Sequence, residues 1–348
     1  PEAGARGAYC RPQAALRNSE PMDATDLSSV LSNSLSSSSI LILTALGLAI
    51  TFGVMRVINM AHGDLLMLGA YTAFVVTEQF KKHCPDYLDY NLAVAIPVSF
   101  LVVAFVGYLL EVGLIRFLYG RPLDTLLATW GFGMILQQVI MLVFGSNLQP
   151  THLAESLQGG VKLGSLTIPF YRLFIVGITL FCLLAVYLWF YRTSFGLKVR
   201  AVVQNRAMAS AMGISTRRVD SVCFAFASGL AGVAGCILAH QFNTKYNMGA
   251  DYIVDAFMGV ILGGMGQLGG SVAGGATIGT GSSVLAKLLG SEWLTKVGLA
   301  LGLSEEEWSR IVKMNGESLA RVLVLLLVIG FIMIRPSGMF AAKERSYE

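Results

Sequence analysis

An all-α integral membrane protein that crosses the bilayer many times is the fold class this sequence predicts. The 348 residues are 55% hydrophobic and only 13% charged, whereas soluble domains hold about 25% charged residues. The apolar residues fall in runs approaching the roughly 20 that a helix needs to cross about 30 Å of hydrocarbon. The stretch Tyr191–Val219 carries Arg192, Lys198, Arg200, Arg206, Arg217 and Arg218 without one acidic residue, between the uncharged runs Leu173–Tyr191 and Ser221–Ala239. A polar loop so placed must face water, and its positive charge puts that water on the cytoplasmic side.

The elements follow in order from this anchor. Residues 1–21 hold three Arg and no apolar core long enough for a signal peptide. They read as a mis-called upstream extension with Met22 as the start, a transit peptide or tag being the alternative, and residues 1–27 are set apart as extension or disorder. A single transmembrane domain spans residues 28–345. Ser28–Ser39 leads into a first apolar run, Ile40–Val54, just long enough to cross with part of the serine stretch. A polar break, Arg56–Asp64, separates it from Leu65–Thr77, and the pair reads as discontinuous helices. Such backbone at membrane depth is tolerated only against protein or a water-filled cavity. Glu78–Tyr90 reads as a loop, Asn91–Ile115 as a span, Arg116 and Arg121 as a basic turn, Thr125–Val143 as a span, and Gly145–Pro169 as a polar connection.

After the basic loop, residues 192–218, Ser221–Ala239 crosses, and its FASGLAGVAG run predicts close packing on another helix. Met248–Asp255 reads as polar and loop-like. Ala256–Gly264 is too short to span and turns at Gly263, Gly264, Gly266, Gly269 and Gly270 to return through Val272–Leu289, a re-entrant hairpin with its turn near the cytoplasmic side. Residues 290–320 form an acidic external insertion, in which Ser304 and Glu307 make a capping-box spacing for a short surface helix beginning near Glu305. Arg321–Ile334 is the last span. About eight to nine membrane segments result, with the N-terminus outside and the C-terminus cytoplasmic.

Charge also limits function. The net charge of +4 gives no reason to propose nucleic-acid binding. The five cysteines show no CxxC spacing and indicate no disulfide framework or metal site. Ion-coupled transporters keep carboxylates or histidines at mid-membrane, and here Thr125–Val143, Leu173–Tyr191, Ser221–Ala239 and Val322–Ile334 contain no Asp, Glu, Lys, Arg or His. No GxxxxGK[ST] loop is present, so ATP and its Mg would be bound by a partner. An intramembrane protease needs a nucleophile and a base that meet; Ser228 and His240 sit twelve residues apart on one predicted helix, about 18 Å. A passive channel or a subunit driven by a separate ATPase remain. The run between Gly196 and Gly213 is compatible with one helix, slim at Ala207, Ala209 and Ala211, which suits docking in a groove, or resting on lipid headgroups.

Here a resemblance enters. RAVVQNRAMASAMGI, Arg200–Ile214, resembles the coupling helix of ABC importer permeases of the branched-chain amino acid family. Gly47–Tyr71 is similar to that family's first helix pair, Tyr252–Gly270 to its re-entrant hairpin, and Ile334–Phe340 to its closing motif. The resemblance covers everything after about residue 28. It implies docking on two cytoplasmic ATPase subunits through Arg200, Asn205, Arg206, Ala207, Ala209, Ala211 and Gly213, a second homologous permease, and an extracytoplasmic solute-binding protein. A bulky charge at Ala209 should then uncouple ATPase binding. RPLDTLLATWGFGMILQQ, Arg121–Gln138, resembles the urea-transport permeases more than the amino-acid ones, making urea the expected solute and branched-chain or other neutral amino acids the alternative. Asn59, His62 and Asp64, with Thr129 and Gln137 on the span that also holds Trp130 and Gln138, are the pathway candidates. Each can equally satisfy freed backbone or hold helices together.

Overall fold

Serine hydroxyls are accommodated inside the first helix. The computed structural model describes residues 24–163, 166–289, 305–335 and 338–340. Helix α1 runs from Ala24 to Met55, so the serine stretch is helical throughout rather than a partial contributor. In it Ser36 and Ser39 donate to the carbonyls of Ser32 and Leu35 at 3.1 and 2.8 Å, satisfying their own hydroxyls within the helix. Ser38 donates across to the Ala276 carbonyl at 3.2 Å, where small residues let two helices approach closely.

The remaining helices are α2 (His62–His83), α3 (Asn91–Gly113), α4 (Pro122–Phe144), α5 (Phe170–Arg192), α6 (Ser194–Gln204), α7 (Arg206–Ala211), α8 (Thr216–Gln241), α9 (Met248–Gly263), α10 (Leu268–Leu289) and α11 (Glu305–Ile334). Short 3-10 segments cover Pro85–Tyr90, which is kinked at Tyr87, Ile115–Leu118 and Glu155–Leu157. Among the described residues α1, α3, α4, α5 and α8 are long and apolar enough to cross a membrane, and Ser318–Ile334 within α11 is a shorter apolar stretch. In α1 and α8, 83% of the most apolar window is buried, against 17% in α4 and 28% in α3 and α5. The first two are therefore the centre and the other three the perimeter. Helices α2 and α3 pack along α8, and α10 along α1; the small-residue run of α8 is the surface they meet.

Four expectations are corrected. Met248–Asp255 is the first half of α9, not a loop; its acidic residues find basic partners, Asp251 with Lys245 at 2.7 Å and the buried Asp255 with Arg321 of α11 at 3.7 Å. The connection after α4 contains an antiparallel hairpin, β1 (Gly160–Leu163) and β2 (Leu166–Pro169), with Val161 opposite Ile168. The segment Glu78–His83 continues α2 before the 3-10 turn. No separate surface helix starts near Glu305, because α11 runs unbroken from Glu305 into the last apolar stretch. Ser304 and residues 290–303 of the acidic insertion lie outside the described residues, as do residues 1–23.

Candidate functional site

Helix α1 ends at Met55, and Arg56 takes a left-handed conformation (φ 55°) that turns the chain sharply. The chain then climbs back beside α1, because His62 Nε2 lies 3.2 Å from the Thr44 carbonyl. Thr44 precedes Met55 by eleven residues, about 16 Å of helix. Helix α2 thus begins inside the bundle. Its first turn holds His62, Gly63 and Asp64, all buried, so the break proper is 56–61, and His62 and Asp64 belong to the helix rather than to the irregular segment. A helix N-terminus in the interior presents unsatisfied N–H groups and a positive dipole end.

Helix α4 closes the break. Thr129 Oγ1 accepts from the Met60 amide at 3.1 Å, and Gln137 Nε2 donates to Asp64 Oδ1 at 2.7 Å. Between them Gly133 leaves the space Asp64 occupies, since a Cβ there would sit 2.0 Å from Asp64 Oδ2. Thr125, Thr129, Gly133 and Gln137 follow one another at four-residue intervals, one helical face. Trp130 and Gln138 point away and are exposed. Asn59 is fully buried, yet neither atom of its amide, nor His62 Nδ1, has a hydrogen-bond partner among the described residues. Such groups are costly unless paired. Thr129 and Gln137 of α4 therefore meet the segment Asn59–Asp64 through the Met60 amide and Asp64, whereas His62 turns instead to Thr44 of α1. Gly133 is a residue that the sequence reading did not single out.

The basic loop differs from its expectation. The run Arg200–Gly213 is not one helix, because Asn205 is extended (φ −153°, ψ 102°) and caps α7 by accepting from the Met208 amide at 2.9 Å. Gly213 ends α7 with φ 81°, and the Ile214 amide reaches back to the Ala209 carbonyl. Ala209 is only 5% exposed, so its methyl group faces the interior of the protein. Arg206 pairs with Asp220 of α8 and lies over the Tyr119 ring at 5.1 Å; it anchors the loop inward. Arg200 lies over the Tyr191 ring at 5.4 Å. Ala207 and Ala211 are exposed. The outward apolar residues missed from sequence are Met208 and Met212, 61% and 77% exposed; their four-residue spacing was the available signal.

Beneath α7 lies a buried charge cluster. Glu111, fully buried near the end of α3, accepts from Arg116 at 3.3 Å and from the Tyr119 hydroxyl at 3.1 Å, and Ser221 of α8 donates to it as well. Arg116 also donates to Ser221 Oγ at 2.9 Å. Burial first, and then the Asp220 and Glu111 carboxylates, push the Tyr119 phenol far above its ordinary range, so it stays a donor. Two buried carboxylates face two partly exposed guanidiniums, the pairing that a buried charge requires.

A cavity of about 480 Å³ opens at this basic end, between the end of α1, the Tyr119–Pro122 turn and residues 202–206. Thr125 lines it, so the cavity reaches the first residue of the α4 face that leads to Asp64. The predicted hairpin is α9 and α10. Gly264 and Gly266 turn it with φ 106° and 85°, Gly263 and Gly270 touch backbone to backbone, and Gly269 has nothing near it. The closing motif packs there, the Met339 amide donating to the Leu262 carbonyl at 2.8 Å.

The comparisons with known proteins agree on one family. The model of branched-chain amino acid transport system permease components matches residues 30–333. The high-affinity branched-chain amino acid transport system permease protein BraD of Pseudomonas aeruginosa is 27% identical over 277 residues, 78% of this chain and 90% of BraD. The corresponding LivH protein of Salmonella typhimurium is 26% identical over 74% of this chain and 86% of its own. A probable branched-chain amino acid transport permease LivH of Methanocaldococcus jannaschii is 29% identical over 76% and 83%. No solved structure matches the chain.

Proposed function

The chain belongs to the family of branched-chain amino acid transport system permease components, and from that premise we propose that it is the membrane-spanning subunit of an ATP-driven importer of a small neutral solute. A second permease completes the pore, two ATPase subunits dock at the basic end, which is cytoplasmic, and a solute-binding protein delivers from the other side. The observation that carries the reading is the meeting of α4 with the broken α1–α2 pair above a cavity open at the basic end. Solute passing that point is offered the Asn59 amide, which has no partner among the described residues, the Asp64 carboxylate and the Thr129 hydroxyl. Discontinuous helices ending at mid-bundle are how transporters build such sites.

Branched-chain amino acids are the solute the relatives favour. An ammonium group suits Asp64 and a carboxylate suits the N-terminal turn of α2. Urea is a second reading, supported by one observation: Arg121–Gln138, the segment that resembles urea permeases, contains the α4 face at the break. Uptake of labelled leucine and labelled urea by the assembled transporter separates them, with and without a Walker-lysine variant of the ATPase. Leucine uptake lost in that variant upholds the main reading, urea uptake alone moves the assignment to urea, and flux without ATP overturns the importer.

A further inference from the structure

The charge cluster under α7 lies off the solute pathway, and a buried ion-pair network is weak as a stabilising device because apolar residues of similar volume do as well. Its geometry has another use. Helix α7 is six residues long and stands between an extended corner at Asn205 and a left-handed one at Gly213. Among the residues of α7 only Ala209 is buried. A side-chain tether between this short rod and the rest of the molecule is Arg206, held by Asp220 near the start of α8 and laid on the Tyr119 ring.

Tyr119 carries the connection onward. Its hydroxyl binds Glu111 of α3, and its segment is clamped to α4 by Thr125, whose hydroxyl bonds the Leu118 and Arg121 carbonyls at 3.1 and 2.9 Å. One turn further along the same face of α4 is Thr129, on the Met60 amide, and beyond it Gln137, on Asp64. The cavity beside Tyr119 and Arg206 leaves room for this end to shift. We propose that Arg206–Asp220 and Tyr119–Glu111 are positioning contacts that convey displacement of α7 through the α3–α4 turn to α4, which then tightens or releases the junction of the break with the first turn of α2. The inference rests on the reading of α7 as the element the ATPase moves.

The test uses the complete transporter in proteoliposomes, comparing Asp220→Asn and Tyr119→Phe with the unaltered protein. The second variant removes one hydroxyl and keeps the ring under Arg206, so the test survives if Asp220→Asn does not fold. Both are expected to co-purify with the ATPase and hydrolyse ATP, while solute moved per ATP falls about 5- to 150-fold, the range of ordinary coupling energies. The exchange of Arg206→Asp with Asp220→Arg is expected to restore part of that ratio. ATP-driven uptake unchanged in Tyr119→Phe and Asp220→Asn overturns the linkage alone, as does a loss of ATPase binding in parallel with uptake. ATP-independent uptake by the unaltered protein overturns the importer reading and the linkage with it.

Discussion

At the scale of single residues, Asp64 is held from several sides. It sits on the first turn of an interior helix end, accepts from Gln137 and fills the space beside Gly133. Replacing Gln137 by Leu leaves the carboxylate without its donor and is expected to cost about 1.5–3 kcal/mol, the worth of a hydrogen bond to a charged group, read as lowered denaturant resistance in detergent. Gly133→Ala must displace Asp64 or α4 and is expected to cost about 1–3 kcal/mol as overpacking, with uptake lost more than membrane insertion. In the basic loop, Ala209→Glu buries a charge and should destabilise the protein itself, whereas Met212→Glu should lower ATPase co-purification and leave thermal stability unchanged. Equal effects of the two on co-purification, without loss of stability, would return Ala209 to the docking surface. The polar candidates were legible because Asn, His, Asp, Thr and Gln are conspicuous among apolar neighbours. Gly133 was not, since a glycine in a helix shows its purpose only when its neighbour is seen.

Among the elements, α7 depends most on local chemistry. Six residues cannot hold a helix by propensity, so its Asn205 cap and Gly213 terminus carry unusual weight. Asn205→Ala is expected to cost about 1 kcal/mol and, because α7 unwinds first, to weaken ATPase binding while the spans remain folded; hydrogen exchange confined to residues 205–213 would show it. The helix was readable from composition, but the corner at Asn205 was not, because one Asn inside a helix-compatible run signals a cap only if the chain direction changes there. Met248–Asp255 misled for a related reason. Its polar side chains find partners in Lys245 and Arg321, contacts invisible to a reading of local polarity.

At the scale of the whole molecule, burial divides a centre of α1 and α8 from a perimeter of α3, α4 and α5. A lipid-soluble photoreactive probe is expected to label Leu142, Val143, Leu180 and Phe181, all exposed, and to spare Leu46 and Ala231, both buried. Protection of Leu142 and Val143 in the assembled transporter, with Leu180 and Phe181 still labelled, would locate the second permease on α4. Hydropathy cannot make this division, because lipid-facing and protein-facing residues of a span are equally apolar.

Sequence alone determined that the chain is helical, lies in a membrane, turns its basic loop to water and interrupts its first helix pair with polar residues. Those are consequences of hydrophobic run length, charge placement and the cost of unpaired backbone in hydrocarbon, all additive along the chain. Tertiary structure alone decided that α2 starts inside the bundle, that α4 supplies its partners, that Ala209 faces inward, and that Arg206 is tied to Asp220. Each depends on which helices become neighbours, and close packing between distant segments sets that.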